Sequence, residues 1–119
     1  MKTMRITLLT MTILGLIFSF AFAAGDAGKG KALFNDPKAF GGEKACSACH
    51  PDGKGLEKAG GKKEFKIMGK TQKSIEDAVN FCIENASKGK AIDSKSEKMM
   101  DLVAYIKSLG KMDKKASGY

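Results

Sequence analysis

Histidine occurs once in the 119-residue chain, as His50. A metal centre built on two histidines of this chain is thereby excluded. Strand signals are also missing, since no stretch reads as a convincing alternation of apolar and polar residues. Neither an internal repeat nor a low-complexity segment is present. Cysteine is scarce and odd in number: Cys46, Cys49 and Cys82 are the three. Pairing two of them leaves one thiol over, and that thiol needs its own explanation.

The N-terminus reads as a secretory signal peptide. Lys2 and Arg5 form a basic head, an apolar run extends from Ile6 to Phe22, and Ala21-Phe22-Ala23 supplies an A-x-A cleavage signature. An uncleaved membrane anchor is the competing reading, and the small residues Ala21, Ala23 and Ala24 weigh against it. No cysteine stands at the cleavage site, so a lipoprotein anchor is not indicated. The expected division is a signal peptide at 1–23, one domain at 24–110 and a lysine-rich, irregular tail at 111–119. The domain then works in the periplasm, an oxidising compartment, with no stable membrane insertion after cleavage.

The formal charge of +8 falls to about +6 once Lys2 and Arg5 are removed. Export argues against nucleic acid as a partner. A basic surface has two readings: it steers docking onto a redox protein with an acidic surface, or it only keeps the protein soluble. The lysines are spread along the whole chain, which leaves both open.

Three helices are expected. Asp26 to Phe34 forms a short one, ending near Asn35-Asp36-Pro37. Ser74-Ile75-Glu76-Asp77 resembles a capping box with Asp in the place of Glu. Behind it Ile75, Ala78, Val79, Cys82, Ile83 and Ala86 recur at helical spacing, with Gly89 as a stop. Ser94-Lys95-Ser96-Glu97 is a second capping box. It opens a helix with Met99, Leu102, Val103, Ile106 and Leu109 on one face, and Gly110 ends it. Residues 41–61, rich in glycine and lysine, read as a loop that wraps something. So small an all-α domain has a thin core, and a buried prosthetic group would supply what it lacks.

Cys46-Ser47-Ala48-Cys49-His50 is a C-x-x-C-H run. Two thiols one helical turn apart can add to the two vinyl groups on one porphyrin edge, and the next histidine is then placed beneath the iron. A thioredoxin-type pair would need a βαβ context, which is absent. A zinc site of Cys46, Cys49, His50 and Cys82 would require the adjacent Cys49 and His50 to ligate one tetrahedral ion. One C-x-x-C-H predicts one covalent haem c, and the single histidine means that the sixth iron position is filled by something else.

The segment from Gly28 to Tyr105 resembles class I c-type cytochromes: a short helix ending in Ala32-Leu33-Phe34, the haem motif, and a last helix with Leu102 and Tyr105-Ile106. The resemblance implies a small cytochrome c fold, with first and last helices crossing over the haem. Two features depart from that family. The proline whose carbonyl usually accepts the proximal histidine's N–H is absent, with Gly53-Lys54-Gly55-Leu56 in its region, and no methionine lies between Met68 and Met99. Residues 79–86, 89–93, 96–99 and 103–106 resemble more closely the haem domains of SoxA and thiosulfate dehydrogenases, where a cysteine at the position of Cys82 ligates the iron. Enzymes of that family generally carry two such domains or a partner subunit, whereas this chain has one.

For the sixth ligand, Cys82 stands against Met68, Met99 and Met100, a lysine, or an open position. A bland reading makes Cys82 a buried small hydrophobe. A thiolate would lower the reduction potential and a thioether would raise it. The expected function is single-electron transfer between redox partners. The alternative is a thiosulfate or sulfur-compound redox enzyme, or its haem subunit, in which lysines such as Lys88, Lys90 or Lys95 attract the anion.

Overall fold

The structure is a computed structural model that describes residues 25–118. The signal-peptide reading of 1–23 falls outside those residues, as does Tyr119. The chain runs α1 (Ala27–Asn35), three single 3-10 turns (Cys46–Ala48, Pro51–Gly53 and Ala59–Gly61), β1 (Phe65–Ile67), β2 (Lys70–Gln72), α2 (Ile75–Asn85) and α3 (Glu97–Ala116). The described residues are mainly α, with three helices among them as the sequence predicts. Among the described residues no helix is long and apolar enough to cross a membrane.

The caps explain where the helices begin. The Asp26 carboxylate accepts from the backbone N–H groups of Gly28 and Lys29, and the Ser74 hydroxyl accepts from Asp77 N. The start of α3 differs from expectation. Its cap is Ser96, which accepts from Met99 N, and not Ser94. Asp93 holds Ser96 in that role, accepting from the Ser96 hydroxyl at 2.7 Å. Glu97 does not reach back to a cap; its carboxylate lies 3.3 Å from Lys29 Nζ.

The core forms where α1 lies on α3, the most extensive pairing of elements among the described residues. Phe34, Ile83, Met99 and Leu102 are almost fully enclosed, and the Phe34 and Tyr105 rings meet edge to face at 5.1 Å. Gly30 makes the close approach possible, because a Cβ there would lie 1.9 Å from Asp101 O. The buried Asp101 carboxylate accepts from Asp26 N at 2.7 Å and ties the start of α1 to α3.

Two sequence expectations are corrected. First, α3 does not stop at Gly110 but runs on to Ala116, so 111–116 is helix and not an irregular tail. Gly110 serves a contact instead, since a Cβ there would come within 2.7 Å of Glu57 O. Second, strand is present. β1 and β2 form an antiparallel hairpin with Ile67 opposite Lys70. Strands of three residues are too short to register as an alternating pattern, and the turn Met68-Gly69 lacks the usual Asn-Gly signature. Both turn residues have positive φ, at 50° and 78°.

Candidate functional site

The C-x-x-C-H run folds as a 3-10 turn closed by Cys49 N and His50 N, both donating to Cys46 O. This turn brings Cys46 and His50 to the wall of one cleft, while Cys49 stays exposed outside it. After His50 the backbone doubles back. Asp52, Gly53 and Gly55 all have positive φ, at 54°, 75° and 87°. A Cβ on Gly53 would sit 2.5 Å from a methyl of Leu109 on α3, so the loop needs glycine there for space as well as for conformation.

That doubling back delivers the Lys54 carbonyl to the imidazole, 2.9 Å from His50 Nδ1. A carbonyl oxygen can only accept. Nδ1 therefore carries the proton, and Nε2 is left with the lone pair of a metal ligand. This is the acceptor that the missing proline left unassigned. A backbone carbonyl has no sequence signature, so only the path of the loop reveals it.

The cleft has a volume of about 90 Å³ and is open on one side, a slot below the roughly 300–1,000 Å³ of an enclosed cofactor-sized site. Besides the C-x-x-C-H turn, five pieces of chain build its wall. Phe34 comes from α1, Leu56 and Ala59 from the loop after His50, Phe65 and Ile67 from β1, and Leu102 and Ile106 from α3. From α2 come Ile75, Ala78, Val79 and Cys82. The predicted stripe of α2 thus divides: Ile83 turns into the core and Ala86 is exposed, while Cys82 faces the cleft. The hairpin's part in the wall was not foreseen, because its strands were not.

Burial dominates the electrostatics of the thiols. It pushes Cys46 up to about 11, with the nearby Cys82 thiol adding to the effect. Burial also raises Cys82, helped by Cys49. All three cysteines are free, and the half-buried Cys46 and Cys82 are held as neutral thiols at neutral pH.

None of the methionine candidates lines the cleft. Met99 is packed in the core, Met100 lies with Met99 on another surface depression, and Met68 stands 72 % exposed at the hairpin apex. No lysine lines it either. Among the described residues no three His, Cys, Asp or Glu side chains converge into a set that could hold a metal ion, so the Cys₃His zinc arrangement is not formed.

By their chemistry, an apolar wall that includes the Cys46 thiol, the exposed Cys49 thiol three residues on and one imidazole with Nε2 available fit a covalently held porphyrin. Compared with protein-family models, curated proteins and solved structures, the chain matches none.

Proposed function

We propose that this chain is an exported monohaem c-type cytochrome with a small cytochrome c fold, and that it carries single electrons between redox partners in the periplasm. The observation that carries the reading is the C-x-x-C-H run at the wall of an apolar cleft, with His50 Nδ1 tied to Lys54 O. Bound through Cys46 and Cys49, haem c would supply the one-electron ferric/ferrous couple. His50 would hold the iron through Nε2. The hydrogen bond to Lys54 O would fix the ring's tautomer and raise its basicity. The apolar side chains of α2, α3 and β1 would exclude water and so tune the potential.

Cys82 is the best-placed donor in the cleft for the sixth position, because the methionines and lysines lie elsewhere. Its raised pKa means that ligation as thiolate would require it to lose a proton to solvent. The same placement supports a second reading, a sulfur-compound redox enzyme or its haem subunit, with Cys82 next to the reacting sulfur.

The test begins with export in a host that matures c-type cytochromes. Haem that stays on the chain after denaturation, at one per chain, is the expected result. It should disappear in Cys46→Ala/Cys49→Ala. A colourless wild-type protein overturns the reading. The electron paramagnetic resonance spectrum of Cys82→Ala then addresses the sixth ligand: a thiolate-type low-spin signal in the wild type should vanish in the variant. Rapid haem reduction by thiosulfate would favour the enzyme, and its absence the carrier.

A further inference from the structure

Lysines occur throughout the sequence, but the charge surplus does not. Between Lys54 and Lys73, seven lysines face only Glu57 and Glu64. Over the rest of residues 25–118, twelve lysines face eleven carboxylates, which is close to balance. The surplus therefore sits on the strap that walls one side of the cleft, and all seven of its lysines are exposed.

The strap ends in the β1–β2 hairpin, whose apex is unusual in two ways. Met68 is one of two large hydrophobic residues exposed among the described residues, at 72 %. It also adopts φ 50°, the left-handed conformation that Asn, Asp or Gly adopts at less cost. Met68 thus suits neither the turn nor water. The apex stands clear of the fold, for a Cβ built on Gly69 meets nothing within 4 Å. Behind the apex come Lys66 and Lys70, both exposed, with Lys63 and Lys73 farther back. Polarity is graded by depth: an apolar tip, then a collar of cations.

We propose that the hairpin apex is a reversible docking tip for an anionic lipid bilayer. Met68 enters the boundary between headgroups and acyl chains, and the lysine collar pairs with lipid phosphates. A protruding tip needs a soft medium to receive it. The depth grading matches a bilayer surface, where anionic headgroups lie outside the apolar layer. An acidic protein surface would satisfy the lysines but would need a preformed apolar socket for Met68. The tip belongs to the same strap as Leu56, Phe65 and Ile67, so docking would hold the cleft close to the membrane. The proposal goes beyond the haem reading and does not rest on it.

Co-sedimentation of the exported, matured protein tests this, with vesicles of phosphatidylglycerol and phosphatidylcholine set against phosphatidylcholine alone. Binding is expected only to the anionic vesicles. Met68→Asn creates the Asn-Gly pair that such a turn prefers, so the variant should unfold no more easily than wild type. Its vesicle affinity should nonetheless fall by roughly tenfold. Lys66→Glu/Lys70→Glu should lower affinity by more than about thirtyfold. Lys31→Glu/Lys44→Glu, the same charge change outside the strap, should cost far less. The chain has no tryptophan, so Met68→Trp adds a reporter whose emission should shift to the blue on binding. Equal losses from the two lysine pairs, or full affinity in Met68→Asn, would overturn the proposal in favour of diffuse attraction by net charge. Failure to bind anionic vesicles would overturn it in favour of an acidic protein partner.

Discussion

Between α1 and α3, Gly30 lets two backbones meet, Phe34 and Tyr105 pack edge to face, and the Asp101 carboxylate fixes the first turn of α1. Across the cleft, residues 54–73 offer one 3-10 turn, a hairpin of three residues a side and a row of exposed lysines. The first region buries nearly all of its apolar surface between its helices, although Phe34, Leu102 and Ile106 also border the cleft. The second packs Ala59 and the Glu57 carbonyl against α3, but it turns Leu56, Phe65 and Ile67 towards an open cleft. An isolated two-stranded hairpin is marginal in water. The hairpin therefore has less protein packing to hold it than the helix pair has.

The largest expected effect separates the two halves of that comparison. In Cys46→Ala/Cys49→Ala/His50→Ala, which removes the proposed haem attachments, amide hydrogen exchange of residues 54–73 should speed up by at least about a hundredfold. The buried amides of α1 and α3 should keep most of their protection. Uniform acceleration through the chain would mean that the helix pair also leans on the cleft and that the division is wrong.

Next in size comes a pair of truncations. Phe34→Ala removes a 2 %-exposed ring from the core, and a loss of about 4 kcal/mol is expected in denaturant unfolding. Ile67→Ala removes a half-buried side chain from the cleft wall, and about 1 kcal/mol is expected. Equal costs would show the cleft wall to be packed as tightly as the core.

Legibility in the sequence follows the same division. The helices could be read because their caps and apolar spacing are local: Ser74 caps α2, and Leu102, Ile106 and Leu109 face inward on α3. Errors arose where a residue answers to something distant. Ser94 and Ser96 are equally good caps by type, and the hydrogen bond from Ser96 to Asp93 decides between them. Gly110 resembles a helix stop, yet it makes room for the carbonyl of Glu57. Cys46, His50 and Cys82 were nameable because side-chain chemistry is written in residue type. The Lys54 carbonyl and the hairpin wall were not, because backbone acceptors and three-residue strands leave no pattern. The charge asymmetry was countable all along, but it acquires meaning only once residues 54–73 are seen to form one rim.

Gly53 joins the two regions, and its substitution should cost less than the loss of Phe34. In Gly53→Ala the new methyl would meet Leu109 of α3 at 2.5 Å, and the backbone would have to hold φ 75° with a Cβ present. About 2 kcal/mol of destabilisation is expected. A second readout distinguishes the site from the scaffold. As the loop shifts, Lys54 O should retreat from His50 Nδ1, and nitrogen-resolved magnetic resonance of the ring should show a mixture of tautomers. Lost stability with an unchanged tautomer would assign Gly53 to packing alone.

The smallest effect concerns an ion pair joining α1 to α3, the one found among the described residues. Lys29 and Glu97 meet at 3.3 Å, but their side chains are 63 % and 73 % exposed. Exposed pairs gain little because water and salt screen them while both side chains lose freedom. Lys29→Met should therefore leave the unfolding midpoint unchanged within error, at low salt and at high salt alike. The contrast with Phe34→Ala gives this its value, since both residues lie on α1 and both reach α3. A midpoint that drops at low salt and recovers at high salt would show that charge, and not only the fit of Gly30, Phe34 and Tyr105, holds the helix pair together.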